Sequence, residues 1–488
     1  MGGLLAALRG ERFREHTLVS ALFVVSRAIV HRAGIQLNFI LNWMHQSDPG
    51  DLKSRLFETL YYSHAYPPGM NLLTGVVLKV GGEHPAALAH AVFYVAGLVL
   101  VNSLFYLCRV SGLSYAVAAT VSTIFSLVPQ SFYLEHLYTY TYLTAALLCL
   151  SAALLHRAMR RQSFGAWFSF FAACSALGWI RSTYHLVWLV AMVGFAIGCA
   201  PPSGRRRALA AALGPAALLV ALYLKNLLAF GVFGAMTFGS GNLTTVTVRR
   251  LPPETRDTWI REGKLSPFAS VDIYAGPRQY LPYFETSVND KWPSSMNRLE
   301  NPTLGNPNYN HWFFLEVNPR RRADALLYLK ARPLEYAGTV VENLVQLFRP
   351  TTEWHPHDKT ENSPHRQHRQ VLGRYEAFYN DLVHGFPWAP VGLYALLPLA
   401  YFWGILRTRS LVRTGGNEAS ARAALLGFCL FQIAFVTATS MLFAYGEAAR
   451  YRYEIEPMIW LVGALSIVSL WARVAKIAGL RPAPLPPA

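Results

Sequence analysis

Ten apolar runs long enough to cross a bilayer constrain this 488-residue chain more than any other feature. A transmembrane helix needs about 20 mainly apolar residues, because the hydrocarbon core is about 30 Å thick. The lipid offers no partner to backbone polar groups, so such runs must be helical unless they close a barrel. We therefore predict an all-α polytopic membrane protein with about 10 transmembrane helices. The runs cover about 17–35, 86–108, 113–131, 139–156, 164–181, 184–200, 208–230, 389–406, 423–445 and 456–473.

Charge supports this class and predicts an orientation. Only 15% of the residues are charged, against about 25% in soluble domains. Lys and Arg concentrate on alternate connections, which predicts that these and both termini are cytoplasmic. The net charge of +17 is thus largely explained by membrane orientation and indicates no nucleic-acid partner. The frequent use of arginine and alanine favours a bacterial protein, which would lie in the inner membrane. The short outer segments hold only Lys53, Arg55, Lys79, Arg450 and Arg452.

One long polar segment, 231–388, interrupts the membrane pattern and divides the chain. We predict an N-terminal transmembrane module (1–230) with its first outer loop at 36–85, then this long outer loop, then C-terminal helices (389–488). The beginning of the long loop, "GVFGAMTFGSGNLTTVTVRRLPPE", is typical of loop with short extended pieces. Later, "ADALLYLKARPLEYAGTVVENLVQLF" has helical spacing of apolar residues. Around 356–368 the loop is His-rich, and we expect it to be mobile.

The first outer loop carries "SDPGDLKSRLFETLYYSHAYPPG", which includes Asp48, Asp51 and His64. Apolar spacing in 36–66 predicts a short amphipathic helix, and the Pro-Pro turn that follows Tyr66 ends it. The next stretch, "MNLLTGVVLKVGG", predicts a second helix too short to span. These acids are either a solvated face or, beside a membrane cavity, a general base for a hydroxyl.

Glu135 and His136 lie in a very short outer turn between two apolar segments. An ionisable group so close to hydrocarbon is costly unless it faces a cavity or a partner. We therefore favour a functional role for Glu135. The tyrosines around it are more typical of an aromatic belt at the membrane interface.

Several cationic and polar groups are predicted on the outer side, against the positive-inside bias. A lipid phosphate would explain them, since arginine pairs with phosphate oxygens in a fixed bidentate geometry. The alternative is internal pairing with nearby glutamates. The cations are Arg181, Lys225, Arg450 and Arg452, the polar neighbours are His185 and Asn226, and the glutamates are Glu447, Glu454 and Glu456.

The order of these motifs resembles the C-type glycosyltransferases (GT-C superfamily). The likeness is greatest to the bacterial protein O-mannosyltransferase and aminoarabinose transferase branch and its uncharacterised relatives. The matching elements are a first-loop acid, "AYPPGMNLL" from Ala65 and "RYRYEIEP" from Arg450. The paired Asp-Glu of the protein mannosyltransferases is replaced by "DPGD". This leaves the catalytic acid open between Asp48 and Asp51, and we prefer Asp48. Two further stretches match sequences of this superfamily more weakly. One contains Arg181, His185 and Trp188, and the other contains Lys225, Asn226, Phe230 and Gly231.

The resemblance implies an inverting transferase with a polyprenyl-phosphate-linked sugar as donor and a lipid, glycan or protein as acceptor. Asp48 or Asp51, or else Glu135, would accept the proton. Arg450 and Arg452, with Arg181 and Lys225, would hold the donor phosphate. His64, Tyr66, His136, His185 and Asn226 would contact substrate. The long outer loop would cover the cavity, as active-site lids do.

Two other functions compete with this one. A glycan ligase or polymerase would use a diphosphate-linked donor, and a lipid or solute transporter would perform no chemistry. Transporters usually place acids near the midplane, often in two related halves, whereas these acids cluster at the outer face. We predict no cofactor. The five cysteines form no CxxC pair, and the histidines at 355, 357, 365 and 368 are more typical of a solvated loop than of a metal site.

Overall fold

Each of the ten apolar segments overlaps a helix in the computed structural model, which describes residues 11–351, 364–385 and 391–479. We number the α-helices α1 to α20 along the chain. They are α1 Glu11–Arg32, α2 Pro49–Ser54, α3 Leu56–Tyr62, α4 Gly69–Val80, α5 Pro85–Val110, α6 Tyr115–Leu127, α7 Pro129–Glu135, α8 Tyr140–Arg161, α9 Phe164–Ile180, α10 Leu186–Cys199, α11 Pro202–Phe230, α12 Gly239–Thr245, α13 Pro253–Arg261, α14 Ser294–Asn297, α15 Phe313–Ala331, α16 Pro333–Leu347, α17 Pro364–His384, α18 Leu397–Thr414, α19 Asn417–Phe443 and α20 Ala448–Ile477.

Five described helices are long and apolar enough to cross a membrane, namely α5, α8, α11, α19 and α20. Helices α6 and α7 form a sixth candidate if they are one span bent by 58°. Pro129 explains the bend, because proline cannot donate to the helical ladder and keeps Val128 extended (φ −62°, ψ 146°). These helices are thus consistent with an integral membrane protein. The full count of about 10 spans is not confirmed, since α9 and α10 have only 17 and 14 residues.

Helix α8 is central to the bundle and packs against α5, α9, α19 and α20. Its small and medium side chains, such as Ala145, Ala152 and Leu155, are fully buried. Helix α1 lies at the outside, and Leu18, Leu22, Val25 and Ile29 form an exposed apolar stripe on it at helical spacing. This stripe is the surface that lipid would cover.

An ion pair inside the bundle joins α1 to α7. Arg27 and Glu135 are 3% and 0% exposed, and their closest N–O distance is 2.6 Å. The Tyr142 hydroxyl donates to the same carboxylate at 2.8 Å, while the rings of Phe23 and Phe132 flank the guanidinium group at 4.1 and 4.5 Å. Glu135 therefore has the partner that a buried acid requires.

The first outer loop is helical in both predicted stretches. The first stretch is divided into α2 and α3 at Arg55, whose backbone leaves the helical region (φ −129°, ψ 48°). The Tyr-Pro-Pro turn separates α3 from the 12-residue helix α4.

The predicted extended pieces at the start of the long outer segment are wrong. The described residues contain no strand, only two isolated β-bridges, and this stretch forms α12 and a 3-10 turn at Val248–Arg250. Thr244, Thr245 and Thr247 each donate a hydroxyl to a carbonyl three or four residues earlier, at 2.6–2.9 Å. These bonds give the backbone a local alternative to a β-ladder, and Thr247 itself lies outside the helix (φ −127°, ψ −99°).

The helical prediction for the later part of this segment is confirmed by α15 and α16, which meet at Pro333. The His-rich stretch differs from expectation. Residues 352–363 lie outside the described ranges, as does the side chain at 365. His368, however, is 2% exposed in α17 and lies 3.5 Å from Glu376. It is packed, so its assignment to a mobile loop is wrong.

Replacing Glu135 with Leu should lower the free energy of unfolding by about 3–5 kcal/mol, because Arg27 would keep a buried, unpaired charge. Thermal unfolding in lipid nanodiscs measures this. The double variant R27M/E135L should recover most of the loss, and exposed Glu83→Gln should change nothing. An E135L protein that melts like the wild type but loses activity would instead indicate a catalytic role.

Candidate functional site

A cavity of about 770 Å³ lies between the helix bundle and the outer segments. Its wall comes from residues 42–45 and 66–70 of the first outer loop and from the turn between α9 and α10. Further wall residues come from the long outer segment between 236 and 309, and from the α19–α20 connection. Tyr140, at the start of α8, also lines it, so five parts of the chain that are distant in sequence meet around one space. Its volume is in the range of small-molecule sites, about 300–1,000 Å³.

Two arginines face this cavity from helix ends. Arg181 ends α9 in extended conformation (φ −142°, ψ 127°), and Arg450 lies in the first turn of α20. Gly446, just before α20, has φ +78°, a backbone geometry that a residue with a Cβ rarely adopts. Both side chains therefore reach the cavity wall from the ends of helices.

Aromatic rings hold the two guanidinium groups together. Arg181 lies 4.1 Å from the Tyr451 ring centroid and 5.0 Å from that of Tyr140. Arg450 lies 5.2 Å from the centroids of the same two rings. Rings at these distances attract cations through their negative faces, so Tyr140 and Tyr451 reduce the repulsion between the arginines.

Each of these arginines also has a glutamate partner, as the internal-pairing alternative predicts. Arg450 binds Glu447 at 2.6 Å, and Arg181 pairs with Glu454, which also accepts from Tyr184 at 3.0 Å. Glu454 is fully buried and is not part of the wall, whereas Glu447 is. Among the described wall residues, the charged side chains are therefore two cations and one anion.

Arg452 does not reach the wall of the cavity. Its Nε donates to Glu456 at 2.8 Å, and its Nη1 donates to the carbonyls of Leu347 and Arg349, both at 2.8 Å. Every one of these partners is internal. Arg452 thus joins the end of α16 to α20.

The first-loop acids hold the long outer segment in place. Asp48 caps α2 by accepting from the Asp51 amide at 3.1 Å, and it also accepts from the Thr303 amide and hydroxyl at 2.9 and 2.8 Å. Asp51 pairs with Arg55 at 2.7 Å and with Arg298 at 2.9 Å. Neither aspartate belongs to the described cavity wall.

Lys225 and Asn226 also bind backbone and not the cavity. The Lys225 ammonium donates to the carbonyls of Tyr61 and Ser63 at 3.0 and 2.9 Å. The Asn226 amide donates to the Gly234 carbonyl at 2.6 Å. These bonds attach α11 to the first outer loop and shape the start of the long segment.

Two of the predicted histidines are buried away from the cavity. The His64 ring lies between the Thr237 hydroxyl (2.8 Å) and the Asn310 carbonyl (3.1 Å). Burial lowers the pKa of His64 to about 3, so it is neutral. The His136 Nδ1 lies 2.7 Å from the Phe132 carbonyl. His64 thus connects the first outer loop to the long segment, whereas His136 closes the last turn of α7.

Of the predicted site residues, Tyr66, His185, Arg181 and Arg450 line the cavity. The proline after Tyr66 keeps that residue out of helical conformation. In addition, His185 caps α10 by accepting from the Trp188 amide at 3.3 Å. These four come together from three separate segments.

Sequence reasoning missed His45, Tyr140 and Glu447 as wall residues. Tyr140 was counted as interfacial, and Glu447 only as a partner for arginine. His45 precedes the Asp-Pro-Gly-Asp motif by three positions, and that proximity was the one available signal. Its ring centroid lies 5.1 Å from Tyr140 and 6.2 Å from Tyr66.

In the described residues, no group of three or more His, Cys, Asp or Glu side chains is arranged to hold a metal ion. The five cysteines are unpaired thiols. Neither protein-family models nor curated proteins match this chain.

Replacing Asp48 with Ala should lower the free energy of unfolding by about 1–2 kcal/mol, as loss of a helix cap does. Thr303→Val should give a smaller loss. A double-mutant cycle by thermal unfolding should show coupling between the two changes, because they remove one shared contact. Additive losses, or an unchanged D48A melting temperature, would contradict this anchoring role.

Proposed function

We propose that this protein is a membrane glycosyltransferase that moves a sugar from a polyprenyl-phosphate donor to an acceptor hydroxyl, with inversion. The observation that carries the proposal is the presence of Arg181 and Arg450 together in one tyrosine-lined cavity beside apolar helices. Two arginines at one site suit a phosphate, because guanidinium groups match its oxygens in bidentate geometry. Apolar helices beside the cavity suit the lipid chain of the donor.

The two arginines would act most strongly in the transition state. As the bond between the sugar C1 and the phosphate oxygen breaks, negative charge grows on the leaving phosphate. A guanidinium group 4 Å from that charge contributes about 4 kcal/mol at an effective dielectric near 20. Groups already held in place need no reorganisation as charge develops, and the tyrosine rings and glutamates hold these arginines.

The wall also suits a sugar. Tyr66, Tyr274 and Tyr309 line the cavity along with Tyr140 and Tyr451. A tyrosine offers an apolar ring face and a polar hydroxyl, and a pyranose has apolar faces and hydroxyl edges. The sugar would therefore occupy the tyrosine-rich part next to the arginines.

The acceptor hydroxyl must lose its proton as its oxygen bonds to the sugar C1. Glu447 would accept that proton. It is the one carboxylate among the described wall residues, whereas both oxygens of Asp48 already accept hydrogen bonds. Glu447 Oε2 accepts from Arg450 and from Tyr451, the latter at 3.0 Å. These bonds orient the carboxylate, which would act as the general base.

Purified protein incubated with a panel of polyprenyl-phosphate sugars and membrane acceptors should release free polyprenyl phosphate, detected by mass spectrometry. Arg450→Met and Arg181→Met should each weaken donor binding about 10- to 100-fold, the effect of losing a hydrogen bond to a charged group. Arg278→Ala, an exposed arginine that pairs with Glu300, is the control. Turnover of diphosphate-linked donors alone would favour a ligase, and transport without turnover would favour a transporter.

Glu447→Gln should abolish transfer while the protein still binds donor, because the amide cannot accept the proton. Turnover and donor binding should be measured separately, with Asp48→Asn alongside. If E447Q turned over normally while a stably folded D48N protein lost turnover, Asp48 and not Glu447 would be the general base.

A further inference from the structure

Helix α17 exposes a row of large apolar side chains next to its buried face. The buried face packs against the bundle and carries His368, Glu376, Tyr379 and Val383. The exposed row, which we call the α17 stripe, consists of Val371, Tyr375, Phe378 and Leu382. The Phe378 side chain is the most open of the four, at 65% exposure.

The spacing of the α17 stripe places it between protein and polar surface. Its members follow one another at intervals of four, three and four residues. A helix turns about 100° per residue, so the four side chains lie within about 60° of one another. Gln370, Arg374 and Asp381 are exposed on the side opposite the buried face. The stripe thus has protein along one edge and polar side chains along the other, as in a helix that lies in a membrane interface.

Helix α17 crosses the ends of several bundle elements. The Tyr375 hydroxyl donates to the carbonyl of Leu127, the last residue of α6, at 3.0 Å. Leu372 packs in a cluster with Val30, near the end of α1. Further along, α17 contacts the 3-10 turn Gly392–Leu396, just before α18. Its path therefore leads from α1 past α6 to α18, at the ends of these helices and not along their length.

The elements that α17 crosses expose apolar side chains as well. These are Ile29 on α1, Ile124 on α6, and Leu393, Leu396 and Leu399 before and within α18. Exposed apolar surface that extends over several elements marks a contact with another protein or with a membrane. A bilayer is favoured as the occupant, because this surface joins the apolar stripe of α1, which lipid would cover.

We infer that α17 is an interfacial helix that docks on the membrane, with the α17 stripe inserted among phospholipid headgroups and upper acyl chains. Helices of this kind reach about 5–10 Å into that boundary. Arg374, beside the stripe, would extend its charged end toward water at the headgroup level. The end of the long outer segment is thereby held against the membrane before α18 begins. This docking is independent of the reaction that the cavity performs.

Fluorescence quenching in lipid nanodiscs tests this docking. A bimane label on Phe378→Cys reports on the stripe. The matched control is the same label on Ala377→Cys, about 100° around the helix on the polar side. Cys199→Ala serves as the background, since the other four native cysteines are buried. Phospholipid brominated near the headgroup end of its acyl chain should quench the label at 378 strongly, and iodide in the buffer should quench it weakly. The label at 377 should show the reverse, and melting temperatures check folding.

Each other result contradicts the docking in its own way. Quenching by iodide at both positions, with none by brominated lipid, would show that the stripe faces water. A label at 378 that neither reagent quenches would show that protein covers the stripe, and the mass of the complex would tell whether that protein is a second copy of this chain. Stronger quenching by lipid brominated at the tail end would place α17 inside the hydrocarbon core and not at its interface.

Discussion

A charge inside an apolar helix bundle needs a partner, and four arginines here each lie against a glutamate. Two of these pairs are enclosed: Arg27–Glu135 joins α1 to α7, and Arg452–Glu456 lies within α20. In the other two, the arginines Arg181 and Arg450 face the cavity. Burying both members of a pair costs desolvation that their attraction must offset. A pair at a cavity wall keeps one side open, and a ligand can occupy that side.

The same constraint explains the glutamates that accompany the cavity arginines. Without Glu447 and Glu454, two guanidinium groups facing the same tyrosine rings would repel each other in an empty cavity. The glutamates keep the site stable without a ligand, and Glu447, at 31% side-chain exposure, is the more open of the two. An anionic substrate would then gain attraction from cations that are already positioned, which is the arrangement that electrostatic catalysis requires.

The first outer loop and the long outer segment depend on each other. Asp48 and Asp51 reach Thr303 and Arg298, and His64 lies between two residues of the same segment. These contacts hold part of the long segment over the cavity, where Tyr274 and Tyr309 complete the wall. Acids that resemble a catalytic motif in sequence thus serve here as anchors, and they contribute to the site by shaping it.

Local sequence signals were enough to locate most of the helices. Each of the ten predicted apolar runs overlaps a helix, although only five or six described candidates are long and apolar enough to span a membrane, and the Pro-Pro turn marks the boundary between α3 and α4. The threonine-rich start of the long segment forms a short helix and a turn and not the predicted extended pieces, and its threonine hydroxyls bond to nearby carbonyls, which offers the backbone an alternative to a β-ladder.

Which polar residues reach the cavity depends on contacts between distant parts of the chain. Asp48 meets Thr303 across 255 positions and Arg27 meets Glu135 across 108, and no local pattern encodes such distant pairings. His45 entered the wall because its own loop, Tyr140 and the start of α20 converge around it. The role of a polar side chain depends on whether a hydrogen-bond or ion-pair partner inside the protein already occupies it. The folded chain sets which residue that partner is.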